Sequence, residues 1–197
     1  MKTKLSSLIQ YQPIARGRLG SGFTLVELLI VIVIIAILAA ITIVAYNGIQ
    51  QRANNTTTIQ GTEAYIKAYA LYATDNGNYP NATGCLGTGY PSNRCLSQSG
   101  TAACFSTGGA TSTAVNTALS PYLGANLPTV SMQQIPCGGT TYIGSYAAYN
   151  SSTGGVTVIM MLSGNQDCPS FSPNVGSSSK AYASDATRCT YILATPS

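Results

Sequence analysis

The chain has 197 residues, room for one compact domain and an additional element but not for two full domains. Charged residues make up only 7% of it and histidine is absent, against about 25% charged in an ordinary soluble domain; the commonest general base is therefore missing, the few acids are scattered, and no enzyme, metal site or bound cofactor is expected. The formal charge of +4 is unevenly placed: Lys2, Lys4, Arg16 and Arg18 all precede Gly22, while beyond it Arg52, Lys67, Arg94, Lys180 and Arg188 balance Glu27, Glu63, Asp75, Asp167 and Asp185.

After this basic stretch, LLIVIVIIAILAAITIVA runs uncharged from Leu28 to Ala45. At 1.5 Å per residue it is long enough to cross most of a bilayer core, and it is apolar on every face, unlike a core helix. The preceding basic residues predict a cytoplasmic N-terminus. An ordinary secretory signal is cleaved after its apolar run, whereas here the run flows into further helical pattern. One acid, Glu27, stands at the edge of the run, where an unpaired carboxylate is costly.

The string GFTLVELLIVIVIIAILAAI, with its basic leader, resembles the type IV pilin family, which includes type II secretion pseudopilins and competence pilins. The resemblance implies that a membrane prepilin peptidase cuts between Gly22 and Phe23 and that the new amine of Phe23 is methylated. It also implies that Glu27 meets the N-terminal amine of a neighbouring identical subunit during assembly. The organisation expected is a cleaved leader over 1-22, a transmembrane and polymerisation helix over 23-46, its amphipathic continuation over 47-76, and a disulfide-containing extracellular α+β head over 77-197. Many members of the family have a proline midway along this helix; this chain has none, and Gly48 is a weaker break.

Past the apolar run, Ile59, Thr62, Ile66, Tyr69 and Ala73 follow three-four spacing, so the helix continues until Asp75-Asn76-Gly77-Asn78-Tyr79-Pro80 stops it, spanning roughly 78 Å in all. Tyr65, Tyr69 and Tyr72 are read as packing residues. Residues 80–110 read as a loop stapled by cysteines, and Ser112 to Leu123 as a short helix capped by Ser112 or Thr113. Strands are expected at Thr141 to Tyr149, Val156 to Leu162 and Cys189 to Ala194, the first two joined by a turn at Asn150 to Gly155. With the long helix they make an α+β fold, an antiparallel sheet packed on the helix's second half.

Cys85, Cys95, Cys104, Cys137, Cys168 and Cys189 are even in number, lie in turn-rich sequence and contain no Cys-x-x-Cys pair, which reads as disulfides outside the cytoplasm. A Cys168 to Cys189 bridge is preferred because it closes the Ser-rich excursion before the last strand, as the family often does; the other partners stay open among the 15 pairings six cysteines allow. Asp167 and Asp185 bracket that excursion and read as solvated acids rather than calcium ligands. Four Asn-x-Ser/Thr sequons, two of them at Asn54 and Asn55, are attributed to composition.

The function expected is a structural subunit of a type IV pilus (fimbrium) serving adhesion or twitching motility, with the assembly machinery as partner and the membrane as its site before assembly. The alternatives are a type II secretion pseudopilin or a minor pilin holding DNA. DNA is not expected as a partner, since only Arg94, Lys180 and Arg188 are available to gather in the head.

Overall fold

The computed structural model describes residues 22–91, 94–97, 104–105, 113–172 and 175–196; the basic stretch before Gly22 and Ser112 lie outside them. The chain divides between Val44 and Ala45 into two compact units.

Helix α1, Leu25–Asn76, runs through Gly48 without interruption. In its second half the spacing read from sequence is the buried seam: Thr62, Ile66, Tyr69 and Ala73 are buried, with Tyr65 and Ala68 beside them and Ile59 partly covered. The helix ends where Gly77 takes φ +70 and its N–H donates to Ala73 O at 2.9 Å, a left-handed stop that glycine adopts at least cost.

The seam rests on a five-stranded antiparallel sheet formed by β1 (Gly84–Cys85), β5 (Ser145–Tyr149), β6 (Val156–Ser163), β8 (Ala186–Leu193) and β7 (Val175–Ala183), in that order across the sheet. A second sheet carries β2 (Leu96–Ser97), β4 (Thr140–Ile143) and β3 (Ile135–Cys137). Helix α2, Ala114–Leu123, adds Val115 and Leu119 to the core. Thr113 stands at its N-cap without a side-chain bond to the helix, so its hydroxyl does not serve the cap read from sequence.

Two expectations are corrected. The strand predicted over Thr141 to Tyr149 is two strands in different sheets, because Gly144 turns the chain with φ +65 between β4 and β5. Strand-favouring Thr, Tyr and Ile around that corner hide it in the sequence. The Ser-rich excursion between Leu162 and Cys189 contains β7, nine residues paired with β8 along its length. None of its side chains is fully buried, so it is held chiefly by backbone bonds to β8, with Val175, Ala181 and Ala183 packing only at the edge of the core.

Polar groups tie α1 to the sheet at defined points. The Asn55 side chain acts as a short strand: its Nδ2 donates to Ser163 O and its Oδ1 accepts from Ser163 N–H, both at 2.9 Å. Buried Thr62 and Ser145 share a 2.7 Å hydroxyl bond. Further along, Tyr65 donates to Asn116 Oδ1 at 2.7 Å and accepts from Gly87 N–H at 2.9 Å, while Asn116 Nδ2 donates to Gly87 O at 2.8 Å. Gly61 lies against the Thr129 carbonyl, where any Cβ would collide with main chain.

Burial raises the Tyr65 hydroxyl to about 12 and lifts Tyr69 further, so both are neutral donors at physiological pH. Their circumstances differ in one respect: the Tyr69 hydroxyl is buried with no hydrogen-bond partner among the described residues. Removing an unsatisfied buried group relieves its desolvation cost, whereas removing a satisfied one leaves its partners stranded. Tyr69→Phe is therefore expected to hold or raise stability by about 1 kcal/mol, and Tyr65→Phe to lower it by about 2 kcal/mol. Denaturation midpoints of the two variants, compared at equal slope, check the contrast; equal losses would contradict it.

Three disulfides complete the head. Cys85–Cys95, Cys104–Cys137 and Cys168–Cys189 have Cα separations of 5.6, 5.9 and 5.6 Å, within the ordinary range. The first follows from topology. β1 pairs with β5 and β2 with β4, and because β4 and β5 meet at Gly144, the segments bearing Cys85 and Cys95 are brought together. The third draws residues 164–172 over the core, where Phe171 packs on Tyr191 at 4.8 Å and the Tyr191 hydroxyl donates to Pro169 O at 3.0 Å.

Candidate assembly site at the helix N-terminus

Gly22, Phe23 and Thr24 precede the helix without regular secondary structure, and α1 begins at Leu25. Thr24 occupies the N-cap position and Glu27 the third helical position. The Thr24 N–H and hydroxyl both donate to Glu27 Oε2, at 2.9 and 2.7 Å, and the Glu27 N–H donates to Thr24 Oγ1 at 3.2 Å. This reciprocal arrangement is a capping box, which satisfies donors that the first turn otherwise leaves open and places a negative charge at the positive end of the helix. Thr-x-x-Glu before an apolar run is its sequence signature, and that signal gives Glu27 a role additional to the one implied by resemblance.

The surroundings of Glu27 are apolar and bare. Phe23 and Leu25 are each 80% exposed, and the large apolar side chains from Val26 to Ile43 that are described all remain exposed. Helix α1 is long and apolar enough to cross a membrane by length and composition. An uncovered surface of this kind on every face of a helix has two stable environments, lipid and other helices. A carboxylate in either requires a cationic or hydrogen-bonding partner. The capping bonds engage Oε2 alone, which leaves Oε1 open to a cation.

Gly22 has open space around its Cα, with no described atom within 4 Å of a Cβ built there, and it does not need a positive φ. Neither backbone conformation nor packing in this unit calls for glycine at that position.

The other sequence-predicted groups are dispersed over the head. Asp167 accepts from Lys180 at 3.1 Å, and Asp185 accepts from the Tyr182 hydroxyl at 2.9 Å. Among the described residues no group of three or more His, Cys, Asp or Glu side chains is placed to hold a metal ion. Arg188 donates to Phe105 O at 3.1 Å with its guanidinium 5.4 Å from the Phe105 ring centroid, so it and Lys180 are drawn to separate partners. The side-chain amide of Asn55 is committed to Ser163, which removes it from service as a glycan acceptor.

A family model described as the prokaryotic N-terminal methylation motif matches residues 18–43. The chain is 42% identical over 69 residues, 35% of its length and 53% of the relative's, to the type IV wide pilus major component PilA4 of Thermus thermophilus. It is 36% identical over 63 residues, 32% of its length and 44% of the relative's, to the type II secretion system core protein G of Aeromonas hydrophila. The chain thus spans about half the length of the curated relatives it matches. No solved structure matches it.

Proposed function

We propose that this chain, a type IV pilin-family protein by its N-terminal methylation motif and its relatives, is the structural subunit of a type IV pilus, made as a membrane precursor and polymerised through the first half of α1. The observation that carries the reading is the capped acid on an otherwise uncovered apolar helix. In the precursor the segment around 23-46 spans the membrane, with the basic residues before Gly22 on the cytoplasmic side. A prepilin peptidase removes residues 1-22, and the new amine at Phe23 is methylated. Because Gly22 answers to nothing in its own surroundings, its smallness is read by that enzyme.

Once Phe23 is the first residue, its ammonium group and Glu27 are opposite charges that are each expensive to bury alone. Bringing the Phe23 amine of one subunit to Glu27 Oε1 of the next removes both penalties and sets the axial register between copies. The apolar faces then cover one another in the filament core, and the disulfide-bonded head lies outside the cell. The chain has no catalytic role in this reading; the peptidase and the motors belong to the assembly machinery.

The similarity to core protein G supports a second reading, a pseudopilin that builds a short secretion piston with the same helix. Fibres sheared from the cell surface and analysed by mass spectrometry are expected to contain a chain that starts at Phe23 and keeps all later residues. The same processed chain confined to the membrane, with no fibre by electron microscopy, would favour the pseudopilin. An uncut leader would overturn both readings.

A further inference from the structure

On the head, a cleft of about 1010 Å³ opens between the α1 residues 47–54 and the loops before β3 and after β6. This is the upper end of the volumes found for ligand sites. Its polar lining is dominated by amide side chains, Asn47, Gln50, Gln51 and Asn54 from the helix and Gln133 from the loop, with Asp185 as the single charged group. Asp185 is delivered there by the two-residue hairpin between β7 and β8, in which Ser184 and Asp185 both hold positive φ, 46° and 61°, the geometry that matches strand twist in short hairpins.

The lining is also held in place. Gln51 Nε2 donates to Ser163 Oγ at 2.7 Å, Asn54 Oδ1 accepts from Ser131 at 3.1 Å, and Asp185 Oδ1 accepts from Tyr182 at 2.9 Å. Each of these side chains has one polar atom anchored and another, Gln51 Oε1, Asn54 Nδ2 and Asp185 Oδ2, with no hydrogen bond to a described residue. A lining fixed in advance lowers the entropy lost on binding.

The chemistry of the walls narrows the ligand. With no Lys or Arg among the lining residues, phosphates and carboxylates find no counter-charge. With Met132 and Pro136 as the main apolar members, a lipid or aromatic ligand finds little to bury against. Amides present donors and acceptors side by side, and a carboxylate accepts a pair of hydroxyls; both suit a ligand whose every group is donor and acceptor at once.

We propose that this cleft binds a neutral oligosaccharide. The site is independent of the pilus reading, since all its residues belong to the unit that begins at Ala45 and none to the membrane segment 23-46.

The test uses the full chain in micelles of a detergent without a sugar headgroup, titrated with N-acetylglucosamine trimer and, separately, with maltotriose, while side-chain amide NMR signals are followed. One trimer is expected to move the Asn47, Gln50 and Gln133 signals saturably, and the better of the two distinguishes an acetamido sugar, as in cell-wall glycan, from a plain glucan. Asp185→Asn, which keeps a residue tolerant of positive φ, is expected to weaken binding by about tenfold or more. Gln133→Ala, away from the hairpin, is expected to weaken it as well. Saturation by neither trimer overturns the proposal, as does binding that both variants leave unchanged. Concentration-dependent shifts of the same signals without sugar mean that a second copy fills the cleft, and overturn it too.

Discussion

Glu27→Gln is expected to abolish fibre assembly while leaving the precursor inserted in the membrane. This substitution separates the two roles the structure and the proposed assembly give one carboxylate. Glutamine at the third helical position still completes a capping box, so α1 starts as before, but the charge that would meet the Phe23 amine is gone. Stranding one member of a buried pair costs roughly 3–5 kcal/mol per contact, and because the contact repeats at every subunit, surface fibres should fall below detection by electron microscopy. Thr24→Ala makes the converse change. It removes the cap, worth about 1 kcal/mol, keeps the charge, and should reduce fibre yield without eliminating it. If Glu27→Gln cells carry normal fibres and Thr24→Ala cells do not, capping is the whole function of Glu27 and the intersubunit pair is wrong.

Gly144→Ala is expected to destabilise the head by about 3 kcal/mol or more, lowering Tm by roughly 10 °C. Two penalties coincide there. A residue with a Cβ at φ +65 loses about 1–2 kcal/mol. The Cβ would also sit 2.5 Å from both Cε1 and Oη of Tyr90, and that ring is not free to swing away, because its hydroxyl donates to Leu86 O at 2.6 Å and accepts from Ser145 N–H at 3.3 Å. Gly154 provides the control, since it has φ +70 but open space around it. Gly154→Ala should cost only the backbone share. Thermal melts of the two variants in detergent decide the matter, and equal shifts would mean that crowding against Tyr90 contributes nothing.

The same two glycines mark how far sequence reasoning reaches. The three-four spacing from Ile59 to Ala73 identifies the buried seam of α1 because periodicity reports directly which side a helix buries. The apolar run and Thr-x-x-Glu likewise declare the assembly helix and its first turn. Gly144 escapes because strand-favouring residues stand on both sides of it, and only the backbone angle reveals that the two halves belong to different sheets. β7 escapes for the opposite reason: VGSSSKAYA has no buried face to produce a pattern, and its partner β8 fixes it through the main chain. Short strands β1 and β2 are below the length at which any period is visible, and with them the Cys85–Cys95 bridge is hidden, since it depends on which strands they join. The amide cleft is dispersed over four segments of the chain, none of which looks unusual alone.

In the proposed fibre a subunit works under tension, and the disulfides would set how much length the head can release when pulled. A load drawn along α1 reaches the sheet first at Gln51 and Asn55, whose three bonds to Ser163 form a shear point that weakens long before the covalent chain does. If the sheet then opened, the bridges spanning 10, 33 and 21 residues would keep those segments from unravelling, withholding on the order of 200 Å of contour at roughly 3.4 Å per residue. The head would yield a short stretch and then stiffen, and in a reducing bath it would yield far more.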